Sequence, residues 1–251
     1  MKPRISYYVL LAVTAYAVFL IAYLPAQRVI SWVELPKHIS LHNVSGSVWN
    51  GRAASVLHRQ QQFGTLTWRL KPLRLLLGKV GVKWKLRGAD VFAKGKMNYH
   101  LDDSIELTST RVIIPLKSLQ KYSSRLPVIL DGELQLDVKD AVIENSSIEA
   151  LDGSVRLLSI RSISPVESDI GTFEALLALQ DDIIVAKARD LDGPLKLSGQ
   201  AQLKLDGSYQ FSANVNLRTQ ASAALRDAIQ QTGRPAANGS YTLQHNGRLW
   251  R

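Results

Sequence analysis

Residues 5–24 read ISYYVLLAVTAYAVFLIAYL, a run without a single charge. At a rise of about 1.5 Å per residue it reaches across a bilayer core of about 30 Å. A core helix of a soluble protein would be shorter and would show a polar stripe. Here only Ser6, Thr14 and tyrosine hydroxyls are polar, and a membrane or its interface tolerates them. The pattern predicts a transmembrane helix over 5–24. Lys2 and Arg4 precede it without an acid, so the positive-inside rule keeps residues 1–4 in the cytoplasm and sends the rest across. In a bacterium the bulk of the chain is then periplasmic. A cleaved signal peptide is the competing reading, but a signal core spans only about 7 to 15 residues, and Pro25 follows this run. In the juxtamembrane segment 25–36, Val29, Ile30, Trp32 and Val33 cluster before Pro36, which predicts a short helix. Trp32 then sits at headgroup level or packs on the following domain.

Beyond Pro36 the apolar period changes to two. Leu66, Trp68 and Leu70 alternate with polar residues, as do Val80, Val82, Trp84 and Leu86, and then Leu134, Leu136 and Val138. Turn dipeptides punctuate the pattern: Asn50-Gly51, Asp131-Gly132, Asp152-Gly153, Asp192-Gly193, Asp206-Gly207, Asn238-Gly239 and Asn246-Gly247. Hairpins and meanders of antiparallel sheet with one wet face are expected. The expectation is sharpest over 195–217. A two-residue Asp206-Gly207 turn would put the apolar sets of its two strands on opposite faces, which a half-buried sheet does not tolerate. A three-residue loop opposes Leu203 with Tyr209 instead, with Gly207 in the left-handed position of a bulge.

Ala221, Ala224, Leu225, Ala228 and Ile229 recur at helical spacing, with Gly233 and Pro235 placed to end the helix. A shorter helix is expected after Pro115, with Leu116 and Leu119 inward. The fold class is therefore mainly β: a transmembrane helix, then an elongated, curved antiparallel sheet body with one or two short amphipathic helices. The domain at 37–251 admits division into 37–114 and 128–251. Low aromatic content and strands near ten residues favour the long sheet over a β-sandwich.

Charge changes the picture next. The chain of 251 residues carries a formal +10, distributed unevenly. Residues 28–100 hold 13 Lys and Arg against Glu34 and Asp90, whereas from 101 onward 16 basic residues face 19 acidic ones. On the strand 80–87, Lys83, Lys85 and Arg87 share one face and Val82, Trp84 and Leu86 the other. Nucleic acid is not met outside the cytoplasm, so the basic face is read as apposed to anionic headgroups or an acidic partner, or as a solvated face that guards a sheet edge.

Catalytic chemistry finds no constellation. There is no cysteine, hence no disulfide, thiol nucleophile or Cys-based metal site. His38 and His42 flank Ile39-Ser40-Leu41, read as strand, without a nearby carboxylate, and His58, His100 and His245 are isolated. Asp102-Asp103 and Asp181-Asp182 read as turn formers, because strand neighbours point to opposite faces. The glycosylation-type triplets at Asn145 and Asn238 matter only in a eukaryotic secretory pathway. No cofactor, metal or catalytic residue is expected.

The stretch VSGSVWNGRA at 44–53, soon after an anchor and followed by Leu66, Trp68, Leu70 and Pro72, resembles the type II secretion system protein N family. The resemblance implies a bitopic inner-membrane component of the apparatus that exports folded proteins across the outer membrane, without enzymatic activity, acting on other secretion subunits. Its motif positions here, Gly46, Ser47, Trp49, Gly51, Ala53 and Trp68, are read as structural: Gly51 for a turn after Asn50, Trp49 for buried area. More distantly the family resembles AsmA-like membrane-anchored proteins whose sheets curl into an apolar groove, which implies phospholipid binding or transfer as the alternative. That alternative needs the apolar face of the 195–217 hairpin to stay open, and the 221–229 helix is available to cover it.

Overall fold

The computed structural model describes residues 5–31, 39–58, 61–75, 78–100, 102–120, 129–145, 147–164, 166–231, 236 and 239–248. It forms two compact units, Met1–Ala89 and Asp90–Arg251.

The first unit opens with helix α1, Ile5–Ala22, of 18 residues. The expected span ran on to Leu24. Pro25 disfavours helical backbone in the residue before it, and the last turn closes with Tyr23 N–H donating to the Phe19 carbonyl at 3.0 Å. Among the described residues, no helix is long and apolar enough to cross a membrane. Those of α1 carry no charge, and large apolar side chains from Tyr7 to Leu20 stand at least half exposed. Helix α2, Ala26–Ile30, follows; Trp32 and the rest of the expected juxtamembrane helix lie outside the described residues. Strands β1 (Ile39–Gly46), β2 (Asn50–His58), β3 (Gln61–Lys71) and β4 (Lys79–Arg87) form an antiparallel meander, with the short helix α3 (Pro72–Leu75) before β4.

The second unit is a meander in sequence order: β5 (Phe92–His100), β6 (Ile105–Pro115), β7 (Ile129–Glu144), β8 (Ser147–Ser164), β9 (Ser168–Gln180), β10 (Ile183–Asp192), β11 (Leu195–Lys204), β12 (Ser208–Leu217) and β13 (Tyr241–Arg248). Helix α4, Leu116–Gln120, lies between β6 and β7, and α5, Ala223–Gln231, between β12 and β13. In neither unit do the strands divide into two packed sheets, so the sandwich alternative does not form. The boundary between units falls at Ala89/Asp90, ahead of the division expected over 115–127, because β6 pairs β7 all the way from Ile105 opposite Ile143 to Pro115 opposite Glu133.

Several glycines expected in turns lie inside strands instead. Gly132, at φ 131°, marks a register shift within β7, and Gly153 sits mid-strand in β8, where a Cβ would come within 2.8 Å of the Asp137 carbonyl oxygen. Bulges thus extend β7 and β8 to 16 and 18 residues, well beyond the ten expected. The β11–β12 connection forms as expected: Leu203 opposes Tyr209, Gly207 takes φ 84°, and its N–H donates to the Lys204 carbonyl at 3.0 Å.

Register carries one apolar row across the second unit, Ala93, Val112, Leu136, Val155, Ala175, Ala188, Gly199, Ala213 and Leu243. Beside it Leu195, Val215, Ala221 and Leu225 form the buried core, with Phe173, Leu197 and Ile229 packed against it. The Ser222 hydroxyl caps α5 by accepting the Leu225 N–H at 3.1 Å, and the helix lays Leu225 onto the strands. The expected end of that helix, Gly233, lies outside the described residues.

Candidate functional site

The motif residues converge on the β1–β2 connection. The turn comprises residues 47–50, ahead of the position expected. Ser47 N–H donates to the Asn50 carbonyl at 3.1 Å, Asn50 N–H returns to the Ser47 carbonyl at 3.2 Å, and the Ser47 hydroxyl accepts the same Asn50 N–H at 3.2 Å. Gly46, at φ 86°, supplies the left-handed conformation beside this turn, rather than Gly51. Gly51 is a strand residue opposite both Gly46 and Trp68. Its missing side chain makes room for the Trp68 indole: a Cβ there would stand 2.6 Å from Trp68 Cε2 and 2.9 Å from the Ser47 carbonyl oxygen.

Held in that slot, Trp68 donates its Nε1–H to the Val48 carbonyl at 3.0 Å, and Leu70 N–H donates to the Trp49 carbonyl at 2.8 Å. Trp49 is half-buried, less than its size suggested. The turn then grips the chain leaving α1. Val48 N–H donates to the Leu24 carbonyl at 3.0 Å, and Pro25 bridges Ser47 in antiparallel fashion. Ala26 and Ala53 are 1% and 0% exposed, and α2 packs on β1. The motif is a joint between the α1 end and the four-stranded meander. Nothing in the sequence pointed to Leu24 and Ala26 as its other half, because that contact spans more than twenty residues of chain.

On the opposite face of the meander lie the cations. Register sets Lys83 beside Arg69 and Asn50, Lys85 beside Thr67 and Arg52, and Arg87 beside Thr65. Lys83, Lys85 and Arg87 are thus brought together as expected, and Arg52 and Arg69 join them; the β2–β3–β4 register is the signal that single-strand alternation lacks. Lys83, Arg87, Arg69 and Arg52 are exposed, Lys85 half-buried. Between the first two rows lies an open depression of about 390 Å³, lined by Asn50, Thr67, Arg69, Lys83 and Lys85, with Trp68 and Trp84 at its sides.

The profile of the family described as Type II secretion system (T2SS), protein N matches residues 37–244, well over half of the chain and including every motif position. The chain belongs to the type II secretion system protein N family. Its relatives include the type II secretion system protein N of Vibrio cholerae, 24% identical over 99% of this chain and 100% of the relative. Those of Pectobacterium carotovorum and Klebsiella pneumoniae are 24% and 25% identical, covering 94% and 98% of this chain and 94% and 97% of their own lengths. No solved structure gives a significant match.

In this family member the titratable groups of the second unit tie strands together. Glu174 on β9, 6% exposed in its side chain, accepts Nη2–H of Arg189 on β10 at 2.7 Å and Nε–H of Arg156 on β8 at 2.9 Å. Arg189 first, then Arg156, holds its carboxyl below the ordinary glutamate range against the opposing effect of desolvation. Asp102 accepts the Ser104 hydroxyl and N–H in the β5–β6 turn, while Asp181 and Asp182, at φ 48° and 60°, form a two-residue turn between β9 and β10. Among the described residues, no group of three or more His, Asp or Glu is placed to hold a metal ion. His42 is exposed on β1 opposite Ser55, and His38 lies outside the described residues. At β11–β13 a depression of about 550 Å³ is lined mainly by amide side chains, Gln200, Gln202, Gln210, Gln244 and Asn246, together with Ser212, Phe211 and His245.

Proposed function

We propose that this protein is a non-catalytic assembly subunit of the type II secretion system. Residues 5–24 anchor it in the inner membrane, with the N-terminus in the cytoplasm and both β units in the periplasm, where they contact other secretion subunits. The observation that carries the reading is the joint: the family's motif residues are spent on fastening the end of α1 to a sheet, which is what an anchored scaffold needs and a catalytic site does not. Support for the anchor comes from the uncharged α1 with its exposed apolar side chains, which water would penalise and lipid would not. Its Thr14 hydroxyl donates to the Leu10 carbonyl at 2.9 Å, the internal pairing that a hydroxyl in hydrocarbon requires. The uncharged run 5–24, as a helix of twenty residues, would cover about 30 Å, the thickness of a hydrocarbon core.

A second reading, phospholipid binding, is favoured by one observation. The apolar row from Ala93 to Leu243 crosses all the strands of the second unit, while α5 covers it only around Leu195 and Val215. That helix occupies the end of the hairpin face that an open groove would use, which ranks lipid handling below the scaffold. Photo-reactive residues at Gln244 on the polar face and at Ala188 in the apolar row, in secreting cells, separate the two. Adducts with an identified secretion subunit are expected. Adducts with phospholipid alone, together with stoichiometric phospholipid on the gently purified protein by mass spectrometry, would overturn the scaffold in favour of the second reading.

A further inference from the structure

Unit Met1–Ala89 holds 13 Lys and Arg against a single acid, Glu34, a net +12; the rest of the chain nets −2. No acid lies between residues 39 and 89, so the exposed cations of the meander face no carboxylate from their own strands. These cations are also ordered with respect to the anchor. Val48 is bonded to Leu24, and Asn50, two residues on, begins the row Asn50–Arg69–Lys83. At about 6.7 Å for every second residue, the row Arg52–Thr67–Lys85 stands one step farther along the strands and Thr65–Arg87 two steps, about 13 Å. That last distance exceeds a Debye length of about 8 Å at physiological ionic strength.

We propose that the Arg69–Lys83 end of this face binds the phosphate of anionic phospholipid headgroups, and that Arg87 lies beyond their reach. The proposal rests on the anchored reading above. Three features select that occupant: charge of one sign, an open depression of about 390 Å³ bordered by Arg69, Lys83 and Lys85, and hydrogen-bonded continuity with the residue that ends the apolar run. Arg69 supplies a planar fork for phosphate oxygens, and Lys83, directly opposite on the next strand, a point charge. Sequence alternation singled out Lys83, Lys85 and Arg87 as a set; the register divides that set by depth and adds Arg69.

Because the chain has no cysteine, the depth order can be read from single-cysteine reporters that leave every cation in place. Full-length Asn50→Cys, Thr67→Cys and Thr65→Cys proteins, labelled with a fluorophore, are reconstituted into vesicles of phosphatidylcholine alone or mixed with phosphatidylglycerol, each containing a lipid with a quenching nitroxide on its headgroup. Flotation with the vesicles tests the anchor separately. The expected result is flotation in both lipids, quenching in the order 50, 67, 65 that appears only with phosphatidylglycerol, and its loss at high salt. Arg69→Gln and Lys83→Gln each lower the apposed population by roughly fivefold, and Arg87→Gln by much less. If the protein does not float, the anchored reading fails and the proposal with it. If it floats but quenching ignores phosphatidylglycerol, or Arg87→Gln matters as much as Lys83→Gln, the headgroup site alone is wrong. A reporter shift with inorganic phosphate in lipid-free detergent, equal to that with phosphatidylglycerol, would assign the cations to a free anion and overturn the lipid assignment.

Discussion

At the scale of single residues, the motif works through what is missing. Gly51 leaves a slot that the Trp68 indole fills, and the indole in turn reaches the Val48 carbonyl. A Gly51→Ala substitution is expected to destabilise the first unit by about 1–3 kcal/mol, because a methyl group must displace either a packed ring or a turn carbonyl. The same substitution in a Trp68→Ala background should cost less, since part of the clash has gone; thermal unfolding of the four proteins of this cycle measures the difference. Equal costs in both backgrounds would mean that Trp68 does not occupy the slot. The sequence made Gly51 and Trp68 conspicuous, yet not their relation, because an Asn-Gly pair reads as a turn by local chemistry. Only the pairing of β2 with β3 reveals that this glycine serves a ring rather than a left-handed bend. Gly207 shows the opposite outcome. There the demand that both apolar sets face one side left a single loop length, and the structure has it.

Among elements, β8, β9 and β10 are stitched by one carboxylate. Glu174 is buried between Arg156 and Arg189, and its folded-state ionisation lies below the ordinary glutamate value of about 4.3. A depressed carboxylate adds stability that is present above the unfolded value and is lost as the pH falls through the folded one. Wild-type stability is therefore expected to fall as the pH drops below about 4.3, and a Glu174→Gln variant, about 1–3 kcal/mol less stable near neutrality, to show less of that fall. Urea unfolding at a series of pH values measures both; a variant whose acid branch matches the wild type would contradict the assignment. Element type was legible where the pattern was strict, since period-two alternation named β3, β4, β7, β11 and β12 and period 3.6 named α5. Strand length was not. Gly132 and Gly153 carry the composition of turns, but Gly132 sits at a bulge and Gly153 opposite the edge of one, and a bulge depends on the partner strand, which local sequence does not contain. The Asp181-Asp182 turn was legible as a turn, although its two left-handed residues are not glycine.

For the whole molecule, the positive charge gathers in the same unit as the uncharged N-terminal run, and the remainder of the chain is mildly acidic. The family was readable from one short motif, and it covers residues 37–244. Residue roles were harder to read, because the other half of the joint is the backbone of Leu24 and Pro25, which no side-chain pattern announces. The central claim is that the chain is anchored by 5–24 with both β units outside the cytoplasm. A Ser212→Cys variant of the full chain, carrying its only thiol on the exposed face of β12, tests it with a membrane-impermeant maleimide applied to spheroplasts. The account predicts complete labelling before lysis, on a protein that stays with the membrane through carbonate extraction. Labelling only after lysis, or release by carbonate, would contradict it.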